Sequence, residues 1–289
     1  METYALLTDP DLADMRHIVL TALVAGLSVT VMCGILSPLV VVKRLGFVGQ
    51  GVSHSAFGGI GIAAMLGAAG WISPGGAAEF AVIVAFCIAA ALGMASVSDR
   101  RTTPVDTAIG LFLVGSMALG AVLVQASGSQ TSWESILFGS ILVAGEREAM
   151  AGWALASAIA LAAWWWRRPM LFWTFDEDSA AAFGVPAKRM KLTLMILLTL
   201  SVVTAMKLAG VILATALLVL PGAIALRLSD RLWAVVALSV GAGVAGLIGG
   251  FIASIELNWQ AGPSMVLVLT LMFALAAVWG WAGSRRAAA

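Results

Sequence analysis

Apolar residues in this chain neither alternate nor keep to one helical stripe; they fill long blocks separated by short polar or glycine-rich interruptions. Crossing a bilayer as a helix takes roughly 20 apolar residues. Blocks of that order cover Ile18–Val42, Phe47–Ala69, Phe80–Val97, Val105–Val124 and Ala149–Trp166. From Leu192 to Leu226 the block is 35 residues long with one charge inside it, Lys207. At about 1.5 Å per residue that is about 52 Å of helix, too long for one crossing. The run must fold back or break, with Lys207 marking the turn unless it snorkels to an interface. Leu232–Ile255 and Pro263–Trp281 complete the pattern. The chain therefore reads as an all-α polytopic membrane protein, residues 1–289 forming a single transmembrane domain. It has about eight or nine spans, nine if the long run is a hairpin and a different number if it is a broken or re-entrant helix.

The basic residues sort these spans by side. With the N-terminus outside, 13 Lys and Arg fall on the inner side and three, Arg16, Arg147 and Lys207, on the outer. That bias is the one the positive-inside rule requires. The chain begins METYALLTDPDLADMRH, acidic where a secretory signal is basic, so the first block reads as a retained span. The outer loops WISPGGAAE, ASGSQTSWES and ELNWQAGP are too short to be soluble domains. One inner loop is long, RRPMLFWTFDEDSAAAFGVPAKR, residues Arg167 to Arg189. Within it Asp176 is a candidate N-cap, Glu177 and Asp178 suit a first turn, the alanines propagate a helix, and Gly184 with Pro186 stops it. Such a helix is either a connector lying on the surface or a docking element for a cytoplasmic motor.

Composition sharpens this picture. The chain is 61% hydrophobic and 11% charged, with a mean hydropathy of +1.03, far from soluble domains. A net charge of +1 gives no general attraction to nucleic acid. Neither GxxxxGK[ST] nor GxGxxG occurs, so any ATP used must be bound by a partner. Cys33 and Cys87 lie in apolar runs without CxxC spacing and read as small buried hydrophobes. An intramembrane metalloprotease would need a constellation such as HExxH, which a chain with only His17 and His54 cannot supply. Glycines recur at small-residue spacing, notably Gly110, Gly115 and Gly120, and again Gly241, Gly243, Gly246, Gly249 and Gly250. They let helices approach closely in lipid, either within one protomer or at a seam between two.

Polar groups at membrane depth are costly and mark pathways. They cluster in GFVGQGVSHSAFGGIGIA, where Gln50 and His54 are four residues apart and share a helical face, flanked by Ser53 and Ser55. Imidazole nitrogen with an amide oxygen is half of a low-coordination transition-metal site. Equally, His54 can be a core histidine hydrogen-bonded to a neighbouring helix. Asp106, two residues after Pro104, suits the positive end of a helix and is otherwise a candidate for the same cation path. Pro221 interrupts another apolar run, as unwound cavity-lining backbone or as an ordinary kink.

These residues carry a resemblance. KRLGFVGQGVSHSAFGGIGIA is similar to the signature R-x-x-F-x-G-D-x-x-S-H-A-x-x-x-G of the permease subunits of zinc, manganese and iron ABC importers, the ABC-3 family. VDTAIGLFL, ILFGSILV, FDEDSAAAFGV, GVILATALLVLPGAIA and AGPSMVLVL follow in that family's order. The resemblance implies the fold of a type II ABC importer transmembrane subunit in a prokaryotic inner membrane. It implies a homodimer or paired permeases, two cytoplasmic ATPases that use the ATP, and an extracytoplasmic metal-binding protein. No cofactor is then held by this chain itself, and the metal ion is cargo. His54 matches the motif histidine of the cation path, and the helix carrying Asp176, Ala180 and Gly184 resembles the coupling helix. Gln50 departs from the family's Asp: an amide offers a dipole where a carboxylate offers a full charge. A secondary transporter without an ATPase is the alternative that the residues alone leave standing.

Overall fold

The computed structural model describes residues 13–73, 75–98, 104–129 and 145–287. Among them every regular element is a helix: α1 (Ala13–Val42), α2 (Gly46–Ala68), α3 (Ala77–Ser98), α4 (Val105–Ser127), α5 (Glu146–Trp165), α6 (Arg167–Phe175), α7 (Glu177–Ala182), α8 (Ala187–Ala209), α9 (Val211–Leu228), α10 (Leu232–Leu257) and α11 (Ala261–Ala287). Eight of these are long and apolar enough to cross a membrane, and the bent pair α5 and α6 taken together brings the number to nine. The block from Leu192 to Leu226 breaks at Gly210, whose φ of +86° ends one helix and starts the next. The residues 99–103 and 130–144, including Arg100, Arg101 and the ILFGSILV segment, lie outside the described residues.

The helices gather into two compact units, each assembled from segments separated in sequence. The first contains α1, α5, α9, α10 and α11. Its centre holds two prolines inside helices, and at the first a hydroxyl repairs the disruption. Pro38 lies inside α1 and has no N–H to give to the carbonyl four residues back, that of Gly34. Ser239 on α10 donates to that oxygen at 2.7 Å. Pro221 lies inside α9, which stays continuous. There the Gly222 N–H donates to Ser37 Oγ at 2.8 Å, and the Ser37 hydroxyl lies 3.4 Å from the Val219 carbonyl as its donor. The unwound-backbone reading of Pro221 is not realised, since the helix continues through it. Side chains from neighbouring helices satisfy backbone groups that water cannot reach in a bilayer.

Close approach in this unit depends on α10. A Cβ on Gly250 would collide with the backbone of Met265, and one on Gly246 with the side chain of Leu269, so α10 and α11 touch along that face. Gly241 has open space instead. At the N-terminal ends of α1 and α5, His17 Nε2 pairs with Glu146 Oε1 at 3.2 Å, and the Trp153 indole donates to the Val24 carbonyl at 3.1 Å.

The second unit contains α2, α3, α4, α6, α7 and most of α8. Here α2 is the shared partner. Its Gly59 abuts the backbone of Ile83 on α3, and its Gly61 abuts the backbone of Gly120 on α4. A Cβ on Gly120 would in turn collide with the Phe57 carbonyl. Because these are backbone atoms, no rotamer change relieves the collision. Gly110 and Gly115, by contrast, meet nothing and face away from the unit's interior.

A candidate intramembrane cation path and a capped docking helix

Gly46–Ala68 forms a helix despite its many glycines because α3 and α4 pack against the bare backbone, replacing side-chain contacts with helix-to-helix contacts. Three pairs fix the register with α4: Gly51 lies at Ile109, Gly58 at Ser116 and Gly61 at Gly120. The two helices are therefore parallel, offset by 58 or 59 residues, and α3 packs antiparallel against α2, since Gly59 meets Ile83 and Gly51 meets Met94.

His54 is half-buried on α2 and stacks on Phe57, with ring centroids 5.9 Å apart. Its Nδ1 is buried and has no hydrogen-bond partner among the described residues. Ser53 and Ser55, beside it, turn their hydroxyls back onto their own helix, donating to the Gln50 and Gly51 carbonyls at 2.9 and 2.8 Å. Neither serine takes up the imidazole. A buried nitrogen without a partner costs on the order of 1–3 kcal/mol, which makes His54 a conspicuous polar group on this helix.

Gln50 is exposed, one helical turn from His54 on the same side of α2. Asp106 is also exposed, in the first turn of α4, where Pro104 occupies the N-cap position and has no side-chain cap to offer. Asp106 thus adds negative charge to the positive end of α4 without making a capping hydrogen bond. The α2–α4 register puts Asp106 opposite Val48, about 3 Å along the axis from Gln50 and about 9 Å from His54. The structure thus brings Gln50 and Asp106 to one level on adjacent parallel helices and leaves His54 further along. Among the described residues no three His, Cys, Asp or Glu side chains converge as a metal cage.

Sequence reasoning did not single out the sulfur groups beside this face. Cys87 and Met94 on α3 both point at α2, the thiol lying 3.8 Å from the Val52 carbonyl and the thioether against Gly51. Both Cys33 and Cys87 are free and buried, as small apolar residues would be.

The long inner loop folds as two short helices. Asp176 caps α7 through its carboxylate, which accepts from the Ser179 N–H at 2.9 Å. At the other end Val185 N–H donates to the Ala180 carbonyl at 2.9 Å and Gly184 N–H to the Ala181 carbonyl at 3.1 Å, with Gly184 at φ +81°. These two bonds make a Schellman stop, and the left-handed residue they require is the glycine. Ala180 is fully buried, so it seats α7 and does not reach outward. The outward side is carried by Glu177, Ala181, Ala182, Phe183 and Gly184. Phe183, 80% exposed, packs on Phe172 of α6 with ring centroids 5.8 Å apart.

The comparisons with known proteins run over nearly the whole chain. Residues 15–280 match the ABC 3 transport family. The manganese transport system membrane protein MntC of Halalkalibacterium halodurans is 32% identical over 88% of this chain and 85% of its own length. A Haemophilus influenzae protein named "Probable iron transport system membrane protein" is 28% identical over 91% of this chain and 92% of its own. In the solved structure of PsaBC from Streptococcus pneumoniae in complex with Fab, a chain 27% identical superimposes with a TM-score of 0.80, covering 95% of this chain and 93% of that one.

Proposed function

We propose, from the premise that the chain belongs to the ABC 3 transport family, that it is the multi-pass permease subunit of an ATP-driven importer of a divalent transition metal ion. Its relatives are named for manganese and iron transport, which favours those two ions; zinc rests on the sequence resemblance alone. The observation that carries the reading is the buried, unpartnered His54 nitrogen at membrane depth on a helix packed through glycines. Imidazole nitrogen prefers ions of this class to sodium or sugars.

In this mechanism the metal ion is cargo. It is delivered by an extracytoplasmic binding protein and passes His54, which supplies a neutral nitrogen donor. Gln50 supplies an amide oxygen at the next turn, and Asp106 supplies at that level the negative charge that an amide lacks. The chain holds no nucleotide. A separate cytoplasmic ATPase docks on α7, and the Asp176 and Gly184 caps keep that helix stiff enough to transmit its movement. A second permease, identical or similar, completes the path.

The test is metal uptake by proteoliposomes containing this chain, its ATPase and its binding protein, with manganese as the first probe. ATP-dependent uptake is expected, with His54→Ala abolishing it while the complex still assembles. Uptake that proceeds without the ATPase would transfer the assignment to a secondary transporter. The Asp106 assignment has its own signature. Asp106→Asn should lower uptake several-fold in the native background and much less beside Gln50→Asp, because the restored carboxylate makes the second one redundant. Equal losses in both backgrounds would remove Asp106 from the path.

A further inference from the structure

At the end of the first unit that carries Arg227 and Arg231, a groove of about 580 Å³ opens between α9, α10 and α11. Its volume is that of a small-molecule site, and every side chain lining it is apolar, among them Ile224, Leu238 and Met272. Gly241 also lines it, and a Cβ there meets nothing within 4 Å, so the backbone of α10 is bare to the groove. The mouth is basic. Arg227 precedes the lining residue Leu228, and its guanidinium carbon sits 5.2 Å from the centroid of the Phe273 ring. That ring packs on the cluster of Ile224, Ala242 and Ala276, the first two of which also line the groove. Among the described residues no acceptor takes up the Arg227 N–H donors. Arg231 is exposed just ahead of α10, three residues before the lining residue Ala234. Asp230 lies between the arginines and offsets one of them, leaving the segment at +1. Trp233, 66% exposed, marks this level as a membrane interface.

We infer that this groove binds one anionic phospholipid, an acyl chain lying along Gly241 and the phosphate held by Arg227 and Arg231. The occupant needs an apolar body with a negative head, and the two halves of the site match those two chemistries. The Phe273 ring attracts the guanidinium through its π face, and the guanidinium N–H groups are suited to a phosphate. Basic groups between membrane helices on the cytoplasmic side take lipid phosphates in this manner. A second copy of the chain fits the mouth less well, because its own inner side carries 13 of its 16 Lys and Arg and like charges would face one another. This inference is independent of what the chain transports.

The experiment is native mass spectrometry of the full-length chain, equilibrated with equal amounts of phosphatidylglycerol and phosphatidylcholine of the same acyl composition. The wild type should retain one phosphatidylglycerol in preference to phosphatidylcholine. Arg227→Gln with Arg231→Gln should erase the preference. Gly241→Phe, which fills the groove from a position with open space, should reduce retention of both lipids several-fold. Equal retention of the two lipids by the wild type overturns the inference without any variant being needed. So does preferential retention that survives both substitutions. A dimer that Gly241→Phe dissociates would assign the groove to a second copy and overturn it as well.

Discussion

A proline in a membrane helix removes one N–H and strands one carbonyl, and in a bilayer no water repairs the loss. For Pro38 the stranded oxygen is that of Gly34, and the repair is the Ser239 hydroxyl, fully buried and 2.7 Å away. Ser239→Ala should therefore cost about 1–2 kcal/mol, read as a lowered unfolding midpoint in detergent, while Ser239→Thr keeps the donor and most of the stability. A wild-type midpoint for Ser239→Ala would mean that Gly34 finds another donor. The pairing was not legible in the sequence, because Ser239 is one serine in an apolar run and its partner lies 205 residues away. His54 was legible for the opposite reason. An imidazole within an apolar, glycine-rich run is unusual in itself, and the structure adds what the sequence left open, that Nδ1 has no hydrogen-bond partner among the described residues.

Local signals in the chain translate into elements where the interactions themselves are local. The α7 caps are of this kind: Asp176 reaches three residues on, and Gly184 closes a turn within five, so both ends could be read from the local order of residues alone. Replacing Gly184 tests whether the left-handed cap matters to docking. Gly184→Ala forces a Cβ into that conformation at a cost of about 1–2 kcal/mol, whereas Asn visits it more readily. Metal-stimulated ATPase activity of the assembled complex should fall in the order Gly, Asn, Ala, with metal binding near His54 unchanged. The same activity in all three would disconnect the cap from coupling. Gly210 shows the limit of local reading. Lys207 was the conspicuous residue in the long apolar run, yet the break falls three residues later at one of 31 glycines, distinguished only by its φ. Gly115 and Gly120 likewise look equivalent in sequence, but only Gly120 meets backbone, at Phe57. Gly120→Ala should destabilise the protein clearly and Gly115→Ala hardly at all, as thermal unfolding of the two variants will show.

Across the whole molecule, orientation is the property on which every functional assignment depends. The charge bias predicts it by summation over many loops, which is why the prediction needs no tertiary contact. The relative directions of neighbouring helices, α2 parallel to α4 and antiparallel to α3, are the same whichever side faces the cytoplasm, so they leave the choice to the charges. The division into two units with segments from distant parts of the chain was not legible, since it depends on which apolar faces meet and all of them are similarly apolar. Orientation itself has a direct test, helped by the burial of both native cysteines, which leaves a membrane-impermeant maleimide no accessible thiol. Trp71→Cys, at a position 79% exposed after α2, should label from outside intact spheroplasts. Ala182→Cys, on the outward side of α7, should label only after the membrane is opened. Were Ala182→Cys to label from outside, α7 would lie away from the cytoplasm and could not meet an ATPase. His54 would then still sit at membrane depth, but the energy source proposed for moving an ion past it would be gone.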